Sequence, residues 1–423
     1  MSRRKKNRKA SPKRPAVAVK NAALDVNDDR LYQALSGASR VSTSGITVNE
    51  STAMKFSAVY GCVSLLAGCI ASLPIQIKTD VNGYDEAIPG ARLRPILNRT
   101  PNQVMTAFVF WETLGYNLFL SGNSYAIISR TSMGDPKGLI WAPCGSVSPK
   151  LNDAKTRLLY QVSVDGKSVT YDQDDILHFP CIGWDGLRGL SPIAAATEGI
   201  GLGLAGEKYN SHFFSNAVTS DIAITYDKPM SPDAQKQLEA YLSDRYSNLD
   251  NLRKPFIGTN GAKVVNLGMS ASDAQMIEAR DYQVEDICRF YGVPPWLVGS
   301  MKKTTSWGTG LGEQTLGFVK FTLRKHLKRI EQEIDRKLIR RPDRFCKFNL
   351  DALLRADIKT RNESYKMALG GNQMPGYLSQ NDVRQREGLP PDSDPKSDML
   401  YRPPEPTETA INEQPEQETN EEI

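Results

Sequence analysis

Residues 273–341 decide the fold and read DAQMIEARDYQVEDICRFYGVPPWLVGSMKKTTSWGTGLGEQTLGFVKFTLRKHLKRIEQEIDRKLIRR. The first part has apolar residues at helical spacing, which predict one buried stripe: Ile277, Val284, Cys288 and Tyr291. Pro294 and Pro295 end this helix, because proline lacks the N–H donor and clashes with the preceding turn. From about Thr309, apolar residues again recur at helical spacing and predict a basic helix of roughly thirty residues. The stretch therefore predicts a helical hairpin.

The loop between these two helices is cationic, since it carries Lys302 and Lys303 followed by two threonines. The acidic residues of the first helix lie on a face apart from its apolar stripe: Glu278, Asp281 and Glu285. Nothing in the stretch has the residue types of a catalytic pocket, so we expect a structural element. Ordinary solvation of a surface loop is, at this point, the simpler explanation of the two lysines.

The chain has 423 residues, 40% hydrophobic and 24% charged, which is typical of a globular protein of two or three domains. Its net charge of +5 is unevenly distributed, because residues 1–20 hold nine basic residues and residues 401–423 hold seven glutamates. Both ends have little apolar content and charge of mainly one sign, so we expect them to be disordered. A basic arm favours polyanions such as nucleic acid, and it serves equally well as a solubilising tail.

The six cysteines are scattered, which favours reduced thiols in a cytosolic compartment. We expect no metal site, because His178 and Cys181 alone do not make a ligand set, and we expect no cofactor. The start does not resemble a secretory signal, since no apolar region follows the basic run. The uncharged segment 56–77 is long enough to span a membrane, but its glycines, serines and Pro74 favour a buried helix running into a strand.

Helix and strand signals cluster rather than alternate over residues 29–190, which predicts an α+β domain with antiparallel pairing. We expect helices over 57–71 and 104–120, strands over 75–78 and 124–130, and tight turns at Asn82-Gly83 and Asp165-Gly166. Ser191-Pro192 opens a helix to about residue 215. This helix has a small-residue face that permits close packing of another helix: Gly199, Gly203 and Gly206. Further on we expect a compact α/β piece over 219–268, a returning strand over 343–350, and two short helices within 355–388.

No enzyme is expected from these residues. Gly201-x-Gly203-x-x-Gly206 matches the dinucleotide fingerprint, but a helix start rather than a strand precedes it. His178, His212 and His326 are far apart in the sequence, and no nucleophile elbow or acid–base pair accompanies them. A nucleotide-dependent enzyme built on the glycines stays open as a minor alternative, because triads assemble in space.

The order of these parts resembles the portal proteins of tailed bacteriophages, in particular those of siphoviruses with the lambdoid-type capsid fold. Five short motifs carry the resemblance over residues 40–350: SAVYGCV at 57–63, LSP at 190–192, DAQ at 273–275, YGVPPWLVG at 291–299 and EQ at 313–314. Each motif alone is weak, and their order and spacing together are specific.

This resemblance implies a portal fold of α+β class with a wing, helical stem, α/β clip, tunnel loop and C-terminal helical crown. By segment it implies a disordered basic arm (1–28), the wing (29–190), a stem helix (191–218), the clip (219–269), a second stem helix (270–293), the tunnel loop (294–309), a long wing helix with its return strand (310–350), the crown (351–395) and a disordered acidic tail (396–423).

The resemblance also implies a function: a ring of twelve copies at one capsid vertex, through which double-stranded DNA is packaged and ejected. The implied partners are the terminase large subunit, the head–tail adaptor, and the major capsid and scaffold proteins, with no membrane. The implied location is the virion, after assembly in the host cytoplasm. A different nucleic-acid-binding protein that uses its basic arm stays open as the alternative.

Within such a ring, specific residues acquire expected roles. The acidic residues Glu278, Asp281 and Glu285 would line the channel and repel the duplex, which keeps it centred. The tunnel loop would contact phosphates transiently, through contacts that carry no sequence information: Trp296, Met301, Lys302, Lys303, Thr304, Thr305 and Trp307.

Overall fold

A computed structural model describes residues 40–164, 166–183, 185–215, 222–225, 231–246, 263–266, 272–300, 309–354, 358–371 and 374–403. It mixes helices and strands, as the sequence predicts. The strands are β1 Arg40–Val41, β2 Thr47–Val48, β3 Ile75–Val81, β4 Tyr84–Ala87, β5 Asn123–Arg130, β6 Pro136–Ala142, β7 Val147–Leu151, β8 Leu158–Val164, β9 Lys167–Asp172, β10 Ile176–Pro180, β11 Ile222–Thr225, β12 Lys263–Asn266 and β13 Arg344–Phe348.

All the strand pairs between these elements are antiparallel, in three three-stranded sheets and two two-stranded ones. The orders are β10-β5-β6, β13-β3-β4 and β7-β8-β9, with the pairs β1-β2 and β11-β12. The hairpin of β3 and β4 turns at Asn82 and Gly83, whose φ angles of 55° and 86° suit a two-residue turn. This turn is confirmed, as is the two-residue connection between Val164 and Lys167.

The helices lie close to the predicted positions. They are Glu50–Ala53, Ser57–Ser72, Arg94–Asn98, Ala107–Ser121, Pro192–Ala195, Thr197–Ser215, Pro232–Tyr246, Ser272–Tyr291, the long helix over residues 309–339, Asp351–Leu354, Ile358–Leu369 and Gln380–Arg386. We call Thr197–Ser215 the glycine-rich helix and Ser272–Tyr291 the acidic helix. The helix predicted from residue 104 begins three residues later, because the Asn102 side chain accepts the N–H groups of Val104 and Met105 and holds them in a turn.

The core forms where the helices Ser57–Ser72 and Ala107–Ser121 pack against each other. Gly115 permits the close approach, because a Cβ on it would lie 3.0 Å from the backbone and Cβ of Ala67. The fully buried side chains of Leu66, Phe110 and Leu118 fill the interface. The Ser57–Ser72 helix is thus a buried helix that leads into β3, as predicted, and no helix within the described ranges is long and apolar enough to cross a membrane.

The long helix contains two π-helical turns that the sequence did not predict. Regular α-helix over Thr309–Gly317 gives way to a π turn at Phe318–Leu323, returns over Arg324–Ile334 and ends in a second π turn at Asp335–Ile339. Its buried residues recur about every four positions: 318 and 319, 322 and 323, 326 and 327, 330 and 331, 334, then 337 and 338. A straight α-helix would rotate such a stripe by about 40° per repeat, and the wider π turns rotate it back.

The C-terminal part forms its own compact unit from Leu350 onward. Two of its helices, Ile358–Leu369 and Gln380–Arg386, match the predicted pair, and Ser379 and Asp382 cap the second one reciprocally. The chain stays folded past the predicted start of the acidic tail at 396. Residues Pro395–Asp398 form a 3₁₀ turn, and the Gly376 N–H donates to the carbonyl of Tyr401 at 2.8 Å. Residues 404–423 and the basic arm lie outside the described residues.

Candidate nucleic-acid channel surface

The acidic helix is fixed by its apolar face. Ile287, Cys288 and Tyr291 are buried, and the Tyr291 hydroxyl donates to the carbonyl of Phe119 at 3.2 Å. The sulfur of Cys288 lies 4.0 Å from that of Cys62 in the helix Ser57–Ser72. Cys288 and Tyr291 of the predicted stripe therefore hold this helix against the core, Val284 is half-buried, and the side chain of Ile277 lies outside the described residues.

The acidic side chains lie on the other faces of the same helix, where Asp281 and Glu285 are partly exposed. Arg289 contacts Asp286 at 2.9 Å and Glu285 at 3.9 Å, and Arg280 reaches Glu207 of the glycine-rich helix at 3.7 Å. Five acidic and two basic residues give the acidic helix a net charge of −3. A face of this sign repels a DNA backbone. The side chain of Glu278 lies outside the described residues.

The glycine-rich helix packs beside it, and each predicted packing glycine has its own surroundings. A Cβ on Gly199 would lie 3.1 Å from the Asp286 carboxylate, so this glycine lets the two helices approach. A Cβ on Gly203 would lie 2.6 Å from the ring of Phe56, whereas one on Gly206 meets nothing within 4 Å. The dinucleotide-like glycines lie inside a continuous helix rather than in a turn after a strand, so this structure lacks the phosphate-binding turn of that fingerprint.

The acidic helix ends in a turn that leads to the predicted tunnel loop. Gly292 has φ +69°, and Pro295–Val298 forms a 3₁₀ turn closed by Gly299 at φ +91°. Val298 packs 3.3 Å from the position of a Cβ on Gly61. Trp296 is half-buried at this turn. The other predicted loop residues lie outside the described residues: Met301, Lys302, Lys303, Thr304, Thr305 and Trp307.

The long helix closes the edges of two sheets with charged side chains, which sequence reasoning missed. On the free edge of β10, Glu333 accepts the N–H of His178 at 2.8 Å and Lys337 donates to the carbonyl of Ile176 at 2.8 Å. Glu333 and Lys337 also form a buried ion pair. Burial lowers the pKa of Lys337, and the attraction of Glu333 opposes that shift.

On the free edge of β13, two further carboxylates of the long helix accept backbone N–H groups. Glu331 accepts from Phe348 at 3.0 Å, and Asp335 accepts from Cys346 at 2.6 Å. Burial raises the pKa of Asp335 above its usual value. Charged residues at helical spacing ordinarily indicate a solvated face, so the sequence alone gave no signal for these contacts.

The described histidines are structural. His178 is buried, accepts from the Tyr160 hydroxyl at its Nδ1 (3.2 Å) and lies with Nε2 3.1 Å from the carbonyl oxygen of the Asn123 side chain. Because that oxygen only accepts, Nε2 carries a proton, and burial keeps the ring neutral, so that Nδ1 is left as an acceptor. Burial lowers the pKa of His178 to about 3. The pKa of His326 is also lowered to about 3, mainly by burial and further by the positive charges of Lys325 and Arg329. The His212 side chain lies outside the described residues.

Among the described residues no group of three or more His, Cys, Asp or Glu side chains converges as a metal would require. His178 and Cys181 do not share a partner, since His178 binds Tyr160 and Asn123 while the Cys181 thiol donates to the carbonyl of Leu118. What the geometry offers is an acidic helix, a turn and a long helix held rigidly against one core.

Comparison with known sequences assigns the family. The sequence profile described as "Phage portal protein" matches residues 57–388. The chain belongs to the phage portal protein family. It is 34% identical to the portal protein of Enterobacteria phage HK97 over 354 residues, which cover 82% of this chain and 81% of that one. It is 32% identical to the probable portal protein of Streptomyces phage phiC31 over 83% of this chain and 78% of the relative.

Solved structures show the same fold at lower identity. An HK97-family phage portal protein from Corynebacterium diphtheriae superposes with a TM-score of 0.54 at 18% identity, covering 72% of this chain and 96% of that one. A chain in the neck of an empty gene transfer agent particle gives 0.59 at 22% identity, covering 81% and 94%. The portal resemblance seen in the five motifs is therefore confirmed. The wing, stem, clip and crown boundaries, and the roles of the channel and loop residues, stay predictions.

Proposed function

We propose that copies of this chain close into a ring at one vertex of a phage capsid and form the channel through which double-stranded DNA is packaged and ejected. The observation that carries this proposal is the match to the HK97 portal protein at 34% identity over most of both chains. A chain in a gene transfer agent neck analysed with C12 symmetry also shares the fold, with a TM-score of 0.54, and supports a ring of twelve. The role is structural, and the chain itself catalyses no step.

Within this ring the acidic helix lines the bore. Its net charge of −3 repels phosphates along the channel, so the duplex slides without being held. The tunnel loop at 294–309 forms the narrowest point, where Lys302 and Lys303 touch the backbone briefly. Both contacts are independent of DNA sequence, as a conduit for a whole genome requires.

The remaining partners follow from this position. The clip at 219–269 faces the terminase large subunit during packaging and the head–tail adaptor afterwards. The wing and crown meet the major capsid and scaffold proteins, and the complex assembles in the host cytoplasm before it becomes part of the virion.

Analytical ultracentrifugation and negative-stain microscopy of the purified full chain test the proposal. We expect a large ring with a central hole, and a stable monomer under assembly conditions would contradict it. Deleting residues 1–20 separates this function from that of a nucleic-acid-binding protein that uses the basic arm. The truncated chain should still form rings. If neither the full chain nor the truncated chain forms rings and the truncation abolishes DNA binding, the protein is instead a nucleic-acid-binding protein that uses its basic arm.

The tunnel loop has a test of its own. Changing Lys302 and Lys303 to Ala should leave ring formation intact and alter DNA packaging or retention, measured as nuclease-protected DNA per particle. Loss of the ring would instead assign these lysines to the scaffold.

A further inference from the structure

Two buried thiols face each other between the helix Ser57–Ser72 and the acidic helix. The sulfur of Cys62 lies 4.0 Å from that of Cys288, and the two residues are 0% and 1% exposed, respectively. Three other thiols instead donate to backbone carbonyls: Cys144, Cys181 and Cys346. Cys62 and Cys288 therefore form a thiol pair, which joins two helices whose contacting residues are 226 positions apart in the chain.

Contacts on both sides of the thiol pair hold the two helices together. The hydroxyl of Tyr291, three residues after Cys288, is hydrogen-bonded to a core carbonyl at 3.2 Å. Gly61, next to Cys62, packs against Val298, since a Cβ on this glycine would lie 3.3 Å from that side chain. Sulfurs in a disulfide lie about 2 Å apart, so the pair must close by about 2 Å. Rotation of the two side chains with a small backbone shift supplies a movement of this size.

The hydrogen bond within the thiol pair gives its two members different chemistry. Donation from the Cys62 thiol to the Cys288 sulfur lowers the pKa of Cys288, while the same contact raises the pKa of Cys62. Burial opposes the lowered pKa of Cys288, and the positive charge of Arg289 adds to it. The thiolate is the nucleophilic form of cysteine. Cys288 is therefore the sulfur that attacks an oxidant, and Cys62 is the sulfur that resolves the product.

We propose that Cys62 and Cys288 are a site of oxidative modification, at which hydrogen peroxide converts the two thiols into a disulfide. The Cys288 thiolate attacks one peroxide oxygen, the O–O bond breaks, and the other oxygen leaves as water once it is protonated, which produces a sulfenic acid. The Cys62 sulfur then attacks the sulfenic sulfur, the S–S bond forms, and a second water leaves with the Cys62 proton. The two thiols lose two electrons in total, and these reduce one hydrogen peroxide to two waters.

The disulfide fixes the last turn of the acidic helix to the core. Cys288 lies four residues before Gly292, where the chain leaves the helix and turns toward residues 294–309. In a reducing cytoplasm the thiols stay separate and the helix end is free to adjust, whereas an oxidising environment outside the cell locks it. The effect on a DNA channel rests on the ring described under Proposed function, but formation of the disulfide does not.

Peroxide treatment of the purified full chain tests the modification. The chain is reduced, freed of reductant and exposed to hydrogen peroxide under native conditions, and the remaining thiols are then counted in denaturant. We expect the count to fall from six to four, because two of the six free cysteines are consumed. A tryptic map without reductant should show one peptide pair, joined at Cys62 and Cys288. Six remaining thiols, or a map in which other cysteines are joined, would overturn the proposal.

Single substitutions test the order of attack. In Cys62→Ala the attacking Cys288 has no resolving partner, so its sulfenic acid should persist and be labelled by dimedone. In Cys288→Ala the remaining Cys62 thiol should be labelled roughly tenfold less, because it is the weaker nucleophile. Cys69→Ala is the matched control, since it removes a half-buried thiol from the same helix and should keep the disulfide. Equal labelling of the first two variants would overturn this order.

Thermal unfolding and ring formation separate this inference from the proposed function. A disulfide that closes a long loop constrains the unfolded chain, so oxidation should raise the melting temperature of the wild-type chain and of Cys69→Ala by about 5 °C. Cys62→Ala should gain nothing from the same treatment, and an oxidised wild-type chain that melts no higher would overturn the lock on the acidic helix. Absence of rings from the reduced wild-type chain, measured by mass photometry, would instead overturn the proposed function, and the tryptic map would still decide the disulfide.

Discussion

The two ends of the long helix differ in which side chains they bury and which they expose to solvent. Near its C-terminal end, Glu331, Glu333 and Lys337 are buried and bind strand edges of two sheets. Near its N-terminal end, Leu316 and Phe321 are exposed while the basic residues point to solvent. The first end is complete within one chain. The second end leaves an aromatic ring and its basic neighbours exposed to solvent, so one helix anchors two sheets at one end and presents a cationic surface at the other.

Breaking the buried ion pair should have the largest effect on the anchored end. Lys337→Ala leaves Glu333 buried without its cation, and removal of one partner of a buried pair costs about 3–5 kcal/mol of unfolding free energy. Urea denaturation measures the loss. Lys347→Ala is the matched control, because its pair with Asp85 is exposed and should change stability by less than about 1 kcal/mol. Equal effects of the two changes would show that the anchored end gains nothing from burial.

Acid should weaken the same end through His178. The unfolded imidazole binds a proton below its usual pKa near 6.5, whereas the folded one stays neutral down to about 3. The unfolded state therefore binds more protons between these values, so stability falls as pH falls, by about 1.4 kcal/mol per pH unit for this group. From pH 6.5, where half of the unfolded imidazoles are already protonated, to pH 5 we expect a loss of about 1.6 kcal/mol from His178 alone.

Urea titrations of the wild-type chain and of His178→Gln at both pH values check this slope. The variant should be less stable at pH 7, because Tyr160 and Asn123 lose their hydrogen bonds to the imidazole of His178. Its stability should, however, fall less steeply as the pH is lowered. Identical slopes would show that His178 titrates normally in the folded chain.

Two glycines of one helix provide a smaller and better matched comparison. Gly203→Ala places a Cβ 2.6 Å from the Phe56 ring and should destabilise the chain by about 1–3 kcal/mol through overpacking. Gly206→Ala meets nothing within 4 Å in the chain and should raise stability by up to about 1 kcal/mol, because alanine favours a helix. Thermal unfolding of the unassembled chain measures the stability change of both variants. If Gly206→Ala also lowers ring yield, this position packs against a neighbouring copy.

The smallest effect is expected near the N-terminal end of the long helix. In the unassembled chain, Phe321→Ser removes an exposed side chain and should change the unfolding free energy by less than about 0.5 kcal/mol. Denaturation of monomer at low concentration measures this. A loss comparable to that of Lys337→Ala would show that Phe321 packs within its own chain.

Local features of the fold were predictable from the sequence because local chemistry determines them. The Asn82-Gly83 turn and the burial of Cys288 and Tyr291 follow from backbone conformation and apolar spacing. The acidic helix was expected to end at Pro294-Pro295, but it already ends at Tyr291, because Gly292 adopts a left-handed conformation. The start of the helix at Ala107 was missed, because the competing turn at Asn102 depends on one side-chain contact.

Features that depend on distant contacts were not predictable. The pairing of β13 with β3 brings residues about 270 positions apart together, and only then do the edges that Glu331 and Asp335 bind exist. The apolar residues of the long helix recur every four positions, which is longer than the 3.6 residues of an α-helical turn. The π turns compensate for this difference and keep these residues on one side of the helix. The channel residues were proposed from the family resemblance, since carboxylates on a helix face indicate only solvation by themselves.

A cryo-electron microscopy reconstruction of the assembled full chain tests whether its copies enclose a DNA channel walled by carboxylates. We expect a closed ring whose bore is lined by Asp281 and Glu285 and narrows at residues 296–308. A ring in which these carboxylates face the outer surface, or particles that contain a single chain, would contradict it.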